Sequence, residues 1–197
     1  MKCAAPCMIA RIMIARIMIA GLVALGSPSL AATVPEPSGY RLDDYRAPVP
    51  ATVEGGTVIH TKGLQALIGR RHVVLIDVLP APRRPEGMRP DQPWLPVPRR
   101  DIPGSLWLPD VGRGALAPEL ARWFQESLAR ATAEDKNRIL VFYCLSQCWM
   151  SWNATKRAAR WGYRHVYWYP DGSDGWAKAG LPVAEIRPEP YPDQSRP

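Results

Sequence analysis

Two short runs of apolar residues constrain the fold of this chain more than any other feature. Residues 73–78 (VVLIDV) and 138–143 (RILVFY) are rich in β-branched and aromatic side chains. Such runs are typical of strands that are buried on both faces, as they are in parallel sheets. Parallel strands need crossover connections, which are usually helices. The two runs therefore predict an α/β domain whose parallel sheet is flanked by helices on both faces.

The segments around these two runs fit the same architecture. Further short strands are predicted at 57–60, 105–108 and 165–169, and helices at 61–68, around 116–130 and at 151–161. The helical predictions rest on apolar residues that recur every three or four positions and on glycines that follow the helix ends. In a parallel sheet, functional groups lie at the carboxyl ends of the strands, so the candidate site is sought there.

The first 31 residues predict a cleaved secretory signal peptide. Three cations accompany an apolar stretch at 17–25, and small residues at 29–31 offer a cleavage site. Nine consecutive apolar residues are too few to cross a bilayer, which takes about 20. The mature chain, residues 32–197, is therefore predicted to be periplasmic, with no membrane span after cleavage. Met13 and Met18 are alternative start sites.

Cleavage changes the charge and the cysteine content of the chain. The formal net charge of the full chain is +7, and the loss of Lys2, Arg11 and Arg16 lowers it to +4. Cys3 and Cys7 are removed as well. Export excludes a nucleic-acid partner, so the arginine pairs at 70–71, 83–84 and 99–100 are interpreted as solvated surface or as docking sites for an acidic protein.

Proline, at 22 of 197 residues, marks the boundaries of the predicted domain. Residues 32–56 predict an extended, Pro-rich N-terminal arm, and residues 57–187 the folded domain. Within that domain, seven prolines lie between Pro80 and Pro98, so residues 80–100 predict an irregular but stiff insertion. The polar residues 188–197 predict a loose C-terminal tail.

Cys144 and Cys148 are the two cysteines that remain in the mature chain. Cys144 directly follows a predicted buried strand, and a helix is predicted to begin just beyond Cys148. A helix N-terminus stabilises a thiolate, which makes the cysteine nucleophilic. In a curled loop, this spacing puts the Cα atoms about 6 Å apart, within the range of a disulfide. We therefore predict a reactive dithiol, with a buried apolar cysteine as the alternative interpretation.

Several stretches of the sequence resemble the rhodanese-like (sulfurtransferase) domains. They lie at 75–78, 101–105, 141–144 and 172–183, and the resemblance covers roughly 57–185. The most specific stretch, 147–157 (QCWMSWNATKR), looks like the family named for its CXXCW motif and its association with catabolism dependent on pyrroloquinoline quinone (PQQ). Residues 40–50 resemble the N-terminal arm of that family.

The resemblance implies a rhodanese fold in which Cys144 forms a persulfide and passes sulfur to an acceptor. Backbone N–H groups of the active-site loop would converge on its sulfur; the loop comprises Leu145, Ser146, Gln147, Trp149, Met150 and Ser151. The candidate supporting residues are Asp77, Asn153, Lys156 and Arg157. Lys156 and Arg157 are expected to cover the solvent face of their helix.

Three departures from the rhodanese pattern alter the expected chemistry. Residues 145–150 contain no Arg or Lys to hold a small anion, so thiosulfate is expected to be a poor substrate. Leu79 stands where the family pattern has an arginine. Cys148 is an additional thiol, which can resolve a persulfide on Cys144 or cycle with it between dithiol and disulfide. A permanent structural disulfide is the open alternative, because exported domains use such bridges.

The predicted function is sulfur transfer or thiol–disulfide exchange through Cys144 and Cys148, with no cofactor. The partner is a small sulfur donor or a periplasmic protein thiol or disulfide. The resemblance implies service to a quinoprotein alcohol-oxidation system, with a quinoprotein dehydrogenase or its cytochrome as the partner. The alternative is a non-catalytic binding module, or a Cu(I)-handling protein with Cys144, Cys148 and Met150 as soft ligands.

Other chemistries fit the residues poorly. A phosphatase of this fold needs an arginine six positions after the nucleophile, where Met150 stands. Two thiols are too few for a structural zinc site. Trp149 is interpreted either as a residue that gates the thiols or anchors a partner, or as a support for the loop. His60, His72 and His165 are interpreted as structural residues.

Overall fold

The computed structural model describes Met1, residues 34–89 and residues 91–190. Apart from Met1, the predicted signal peptide lies outside this part of the chain, as do residues 191–197 of the predicted tail. The elements in chain order are β1 (Thr57–Val58), α1 (Thr61–Ile68), β2 (Val73–Asp77), β3 (Arg99–Asp101), β4 (Leu106–Trp107), α2 (Pro118–Thr132), β5 (Ile139–Tyr143), α3 (Trp149–Arg160), β6 (His165–Trp168), α4 (Gly172–Lys178) and β7 (Ala184–Ile186).

Five of the strands form one parallel sheet in the order β1-β6-β5-β2-β4. The two apolar runs lie side by side at its centre, with Val73 opposite Ile139 and Asp77 opposite Tyr143. This confirms the predicted α/β class with its parallel central sheet. The register brings the carboxyl ends of β2 and β5 together, so that Asp77 and Cys144 lie at the same edge.

Helices cover both faces of the sheet, because alternate residues of its central strands point to opposite sides. On one face, Ile76 and Phe142 pack with the apolar faces of α2 and α3. On the other face, Leu75 and Val141 pack with α1 and α4. The helical spacing predicted around 116–130 is confirmed by Leu120, Trp123, Phe124 and Leu128, which are all buried.

The sequence analysis did not predict β3, β7 or α4. β3 and β7 form a separate antiparallel pair that joins Arg100 to Glu185 and Asp101 to Ala184. β3 contains no apolar residue and β7 has only three residues, so this pairing depends on where the chain returns in space. α4 is rich in Gly and Asp, a composition typical of turns; Trp176, which packs on Leu75 and Val141, anchors it to the sheet.

Outside these elements, the described residues contain no helix, and an isolated bridge joins Pro188 to Trp107 of β4. Residues 34–56 form the N-terminal arm, and 80–89 with 91–98 form the Pro-rich insertion, in both of which the structure assigns neither helix nor strand. At the described start of the tail, the Glu189 N–H donates to the Trp107 carbonyl over 2.9 Å. Among the helices that the structure describes, none has the length and hydrophobicity needed to span a bilayer.

Candidate active site

Cys144 and Cys148 form a disulfide at the carboxyl end of β5. Their Cα atoms are 6.2 Å apart, in agreement with the predicted spacing. Cys148 is the N-cap residue of α3, which begins at Trp149, two residues earlier than predicted. Both cysteines are buried, with 0% and 2% of their surface exposed. The loop therefore brings the two predicted sulfurs together, but beneath the surface.

Three backbone N–H groups of the loop, those of Ser146, Gln147 and Trp149, donate to protein acceptors. The N–H and hydroxyl groups of Ser146 donate to the two carboxylate oxygens of Asp174, each over 2.6 Å. The N–H groups of Gln147 and Trp149 donate to the carbonyls of Pro170 and Tyr45 over 3.3 and 2.9 Å. These three N–H groups are thus bound to acceptors outside the loop, which differs from the convergence on sulfur that the resemblance implies.

The start of α4 packs directly against the active-site loop. Gly172 has a φ of +68°, and a Cβ there would lie 2.3 Å from the carbonyl carbon of Leu145 and 2.4 Å from the Ser146 nitrogen. Only glycine satisfies both the left-handed backbone and the close approach. Segment 170–174 thereby forms one wall of the loop. This placement brings Asp174 within hydrogen-bond distance of Ser146.

A buried polar network holds the Cys144 end of the loop. The Ser173 N–H donates to the Cys144 carbonyl over 2.9 Å. Arg99 donates to the Ser173 hydroxyl and to the Asp77 carboxylate, both over 2.6 Å. The same guanidinium lies 3.8 Å from Asp101. Arg99 therefore connects the backbone of Cys144 to two buried carboxylates.

The two carboxylates share one guanidinium, which shifts the proton equilibria around them. Burial raises the pKa of Asp77 well above its ordinary value; Asp101 adds to the rise, and Arg99 opposes it without cancelling it. Burial and the same carboxylates raise the pKa of Tyr143. Tyr143 therefore remains a neutral donor, and its hydroxyl donates to Asp101 over 2.9 Å.

The cation that binds Asp77 is Arg99, and not a residue at position 79, where the family pattern has an arginine. The Leu79 N–H donates to Asp77 over 2.9 Å, so that residue contributes only its backbone. The charge comes instead from β3, 22 residues after Asp77. The sequence indicates that residues 99–100 are solvated surface or a docking site for an acidic protein. Solvation is wrong for Arg99, because its guanidinium is largely buried against Asp77. The one signal in the sequence was Asp77 itself, because a carboxylate at the end of a buried strand needs a cation or a hydrogen-bond donor.

The N-terminal arm holds the Cys148 end of the loop. Besides the bond from its backbone to Tyr45, Trp149 donates its indole N–H to the Pro48 carbonyl over 3.1 Å. The Arg41 guanidinium lies 5.4 Å above the Trp149 ring. Trp149 is buried in a cluster with Val53, Trp152 and Trp168. Of the predicted roles for Trp149, the structure thus shows support of the loop.

Three of the predicted supporting residues bind the arm or the loop 111–114. The Asn153 side chain accepts from the Arg41 N–H over 2.9 Å and donates to the carbonyls of Arg41 and Gly112 over 2.8 and 2.9 Å. Lys156 donates to the Pro37 carbonyl over 2.8 Å. Arg157 donates to the carbonyls of Val111, Arg113 and Gly114.

The expectation that Lys156 and Arg157 cover a solvent face is wrong. Lys156 is 0% exposed and Arg157 is 6% exposed, because the arm lies over this side of α3. The Lys156 ammonium group reaches Glu54 at 2.9 Å, and the Arg157 guanidinium lies 4.2 Å from the ring centre of Tyr40. Their cations are therefore occupied by arm and loop groups.

Met150 and Ser151 complete the first turn of α3. Met150 is buried in the core between the sheet and α2. The Ser151 hydroxyl donates to the Cys148 carbonyl over 2.9 Å and accepts from the Trp168 indole over 3.0 Å. Among the residues that the structure describes, no group of three or more His, Cys, Asp or Glu side chains could hold a metal ion. The disulfide form also leaves no thiolate for the alternative Cu(I) site.

His60 pairs with an acidic residue beside the loop. Its Nδ1 atom lies 2.7 Å from Asp171, which also accepts from the N–H and hydroxyl of Thr61 over 2.9 and 2.8 Å. Asp171 thus caps α1 from 110 residues away, since His60 itself makes no capping bond. Burial raises the pKa of Tyr169, whose hydroxyl contacts Thr61, to about 12.

Comparison with known proteins gives a matching family and several similar structures, two of which are described below. The family described as Rhodanese-like domain matches residues 60–179. The chain is similar to an uncharacterized protein from Saccharomyces cerevisiae at 23% identity, over 63% of this chain and 92% of that chain, with a TM-score of 0.38. It is also similar to the 30 kDa polysulfide-sulfur transferase homodimer from Wolinella succinogenes at 19% identity, over 66% and 79% of the two chains, with a TM-score of 0.41. No curated protein sequence matches it.

Proposed function

Because this chain belongs to the family of rhodanese-like domain proteins, we propose that it transfers sulfur through a two-thiol site made of Cys144 and Cys148. The observation that carries the proposal is the disulfide at the end of β5. One sulfur belongs to the residue at the persulfide-forming position of the family pattern, and the other begins the next helix. The pair can therefore exist as a dithiol or as a disulfide.

The proposed cycle begins with the dithiol. The Cys144 thiolate attacks the outer sulfur of a donor persulfide, forms a new S–S bond and releases the donor as a thiolate. The Cys148 thiolate then attacks the Sγ atom of Cys144, which forms the observed disulfide and expels the outer sulfur as hydrosulfide. In this step the two cysteines are oxidised and the sulfane sulfur is reduced. A partner protein dithiol restores the reduced pair and becomes a disulfide.

Mass spectrometry of trapped thiols tests this proposal through two matched variants. After reaction with a donor persulfide, Cys148→Ser should retain an added mass of one sulfur on Cys144, because the resolving thiol is absent. Cys144→Ser should carry no such adduct, and the wild-type protein should return to the disulfide and release sulfide.

A purely structural disulfide gives a different result. The two single variants would then lose equal amounts of stability, and neither would form an adduct. A ring this short stabilises the fold by only about 2 kcal/mol in chain-entropy models. An equal loss much larger than that, without an adduct, would contradict the sulfur-transfer proposal.

We also propose, from the sequence resemblance alone, that the protein acts in the periplasm in support of a PQQ-dependent quinoprotein alcohol-oxidation system. The partner would be the quinoprotein dehydrogenase or its cytochrome, bound through a mixed disulfide. Thiol trapping in cells that express Cys148→Ser should capture this partner on Cys144. Recovery of the protein from the cytoplasm, or a trapped partner unrelated to alcohol oxidation, would contradict this assignment.

A further inference from the structure

We infer that Asp174 determines the specificity of the dithiol site, by selecting neutral or cationic sulfur partners and rejecting anionic ones. The inference rests on the proposed function and names the substrate class that the site accepts. The favoured partner is a thiol, disulfide or persulfide whose neighbouring groups are basic, such as a cysteine flanked by Lys or Arg in a protein.

The first argument is the position of the Asp174 carboxylate. Its two oxygens bind the N–H and the hydroxyl of Ser146, two residues after Cys144, over 2.6 Å each. Without Asp174, these N–H and hydroxyl groups could instead form hydrogen bonds to a negatively charged group of the sulfur-carrying substrate. A carboxylate that belongs to the protein already satisfies them, so an incoming anion would have to displace it.

The second argument is the charge that remains at this position. Partial burial raises the pKa of Asp174, but hydrogen bonds from Ser146 and from backbone N–H groups outweigh burial, and the net shift is downward. The carboxylate is therefore ionised at neutral pH. Asp174 is exposed, so its charge faces whatever approaches Ser146 from solvent.

Other cations around the active-site loop form ion pairs with carboxylates other than Asp174. Arg99 is held by Asp77 at 2.6 Å, and Arg41 lies 3.6 and 3.4 Å from Asp43 and Asp44. On the same wall of the loop, His60 is paired with Asp171 at 2.7 Å. None of the ion pairs that Arg99, Arg41 and His60 form involves Asp174.

The wall that carries Asp174 has little freedom to move away. Gly172 is packed against Leu145 and Ser146 so closely that a Cβ would not fit. The Pro170 carbonyl accepts the Gln147 N–H over 3.3 Å, and the Ser173 N–H donates to the Cys144 carbonyl over 2.9 Å. Asp174 is thus fixed relative to Cys144 through the residues that immediately precede it.

Three small disulfides of similar size but different charge test the inference. They are cystamine, a dication; 2-hydroxyethyl disulfide, which is neutral; and 3,3′-dithiodipropionate, a dianion. The reduced protein attacks each disulfide, releases one small thiolate and then expels the second as Cys148 closes the protein disulfide. Each rate is divided by the rate of the same disulfide with free 2-mercaptoethanol, which removes differences in intrinsic reactivity.

The wild-type protein should prefer the dication over the dianion by about ten-fold, the effect of a nearby charge partly screened by water. Asp174→Asn keeps the size of the side chain and should bring this ratio close to one. Glu126→Gln removes the same charge from the exposed face of α2 and should leave the ratio unchanged. High salt should reduce the wild-type ratio, because it screens exposed charges. This salt test uses only the wild-type protein, so it applies even if the Asn variant folds poorly.

The outcomes separate the two proposals. A wild-type ratio near one, a preference for the dianion, or an unchanged ratio in a folded Asp174→Asn variant would overturn the specificity inference while the dithiol chemistry stands. Failure of the reduced wild-type protein to react with any of the three disulfides would overturn the proposed function, and the inference with it.

Discussion

The two ends of the active-site loop are held by different parts of the chain. Cys144 is tied to β2, β3 and α4 through Ser173, Arg99 and Asp77, all of which lie within the matched family segment 60–179. Trp149, the residue after Cys148, is bound by the arm, which precedes that segment. The comparison teaches that the family fold supports the first thiol, whereas an added segment outside the fold supports the second.

The two ends also use different kinds of interaction. The Cys144 end depends on buried charges, with two carboxylates around one guanidinium. The Cys148 end depends mainly on neutral side-chain N–H groups that donate to arm carbonyls, as those of Asn153 and Trp149 do, and its buried cation Lys156 is paired with Glu54 of the arm. Unpairing a buried charge destabilises the whole domain, whereas loss of arm contacts favours local opening of the arm.

The largest effect is expected at the Cys144 end. Arg99→Gln removes the hydrogen bonds to Asp77 and Ser173 and leaves the buried Asp101 without its cation, and it should lower the free energy of unfolding by about 3–5 kcal/mol. Arg100→Gln, at the exposed neighbouring position, should change it by less than about 0.5 kcal/mol. Urea denaturation measures both variants. Equal losses would show that the buried network does not stabilise this end.

The next effect is a pH dependence that belongs to the same network. The folded-state pKa of Asp77 is raised, so the folded protein holds its proton more tightly than the unfolded chain does. Its contribution is full below the ordinary Asp pKa and is lost as the pH rises through the raised value. From pH 5 to pH 7, the contribution of this group to the unfolding free energy should therefore fall.

Asp77→Asn isolates that contribution. The variant cannot release the proton, so subtracting its pH profile from that of the wild-type protein should leave a difference that falls with rising pH. Urea denaturation at each pH measures the two profiles. A difference that rises with pH would mean that Arg99 lowers the pKa of Asp77 below its ordinary value.

A smaller effect is expected at the Cys148 end. Asn153→Ala removes three hydrogen bonds to Arg41 and Gly112 and should lower the unfolding free energy by about 2 kcal/mol. Because the arm opens locally in this variant, dithiothreitol should reduce the disulfide of the variant faster than the disulfide of the wild-type protein. Asn137→Ala, at an exposed asparagine between α2 and β5, serves as the control. An unchanged reduction rate would show that the arm does not protect Cys148.

The smallest effect separates two neighbouring indoles of α3. Trp149→Phe loses the bond to Pro48, and Trp152→Phe loses a bond of 2.9 Å to Thr52. Each should cost about 1 kcal/mol. Only Trp149→Phe should speed reduction of the disulfide, because Trp149 directly follows Cys148. Equal reduction rates in the two variants would argue that the arm acts as one unit.

The sequence by itself determined the layered fold and the position of the two sulfurs. The apolar runs that became β2 and β5, and the helix at 61–68, depend on patterns within a few residues of one another. The separation of Cys144 and Cys148 is also local, since a curled loop between a strand and a helix allows little variation in the Cα distance. Short-range geometry makes such features readable without the rest of the chain.

The tertiary structure alone decided which polar groups meet around those sulfurs. Asp174 is 28 residues from Ser146, Arg99 is 22 from Asp77, and Lys156 is 119 from Pro37. A lysine on a helix has the same local pattern whether water or a carbonyl of a distant segment receives its protons. Burial, the shared guanidinium and the carboxylate beside the loop therefore depend on how the arm, β3 and α4 return to the sheet, because only chain closure in space brings these partners within hydrogen-bond distance.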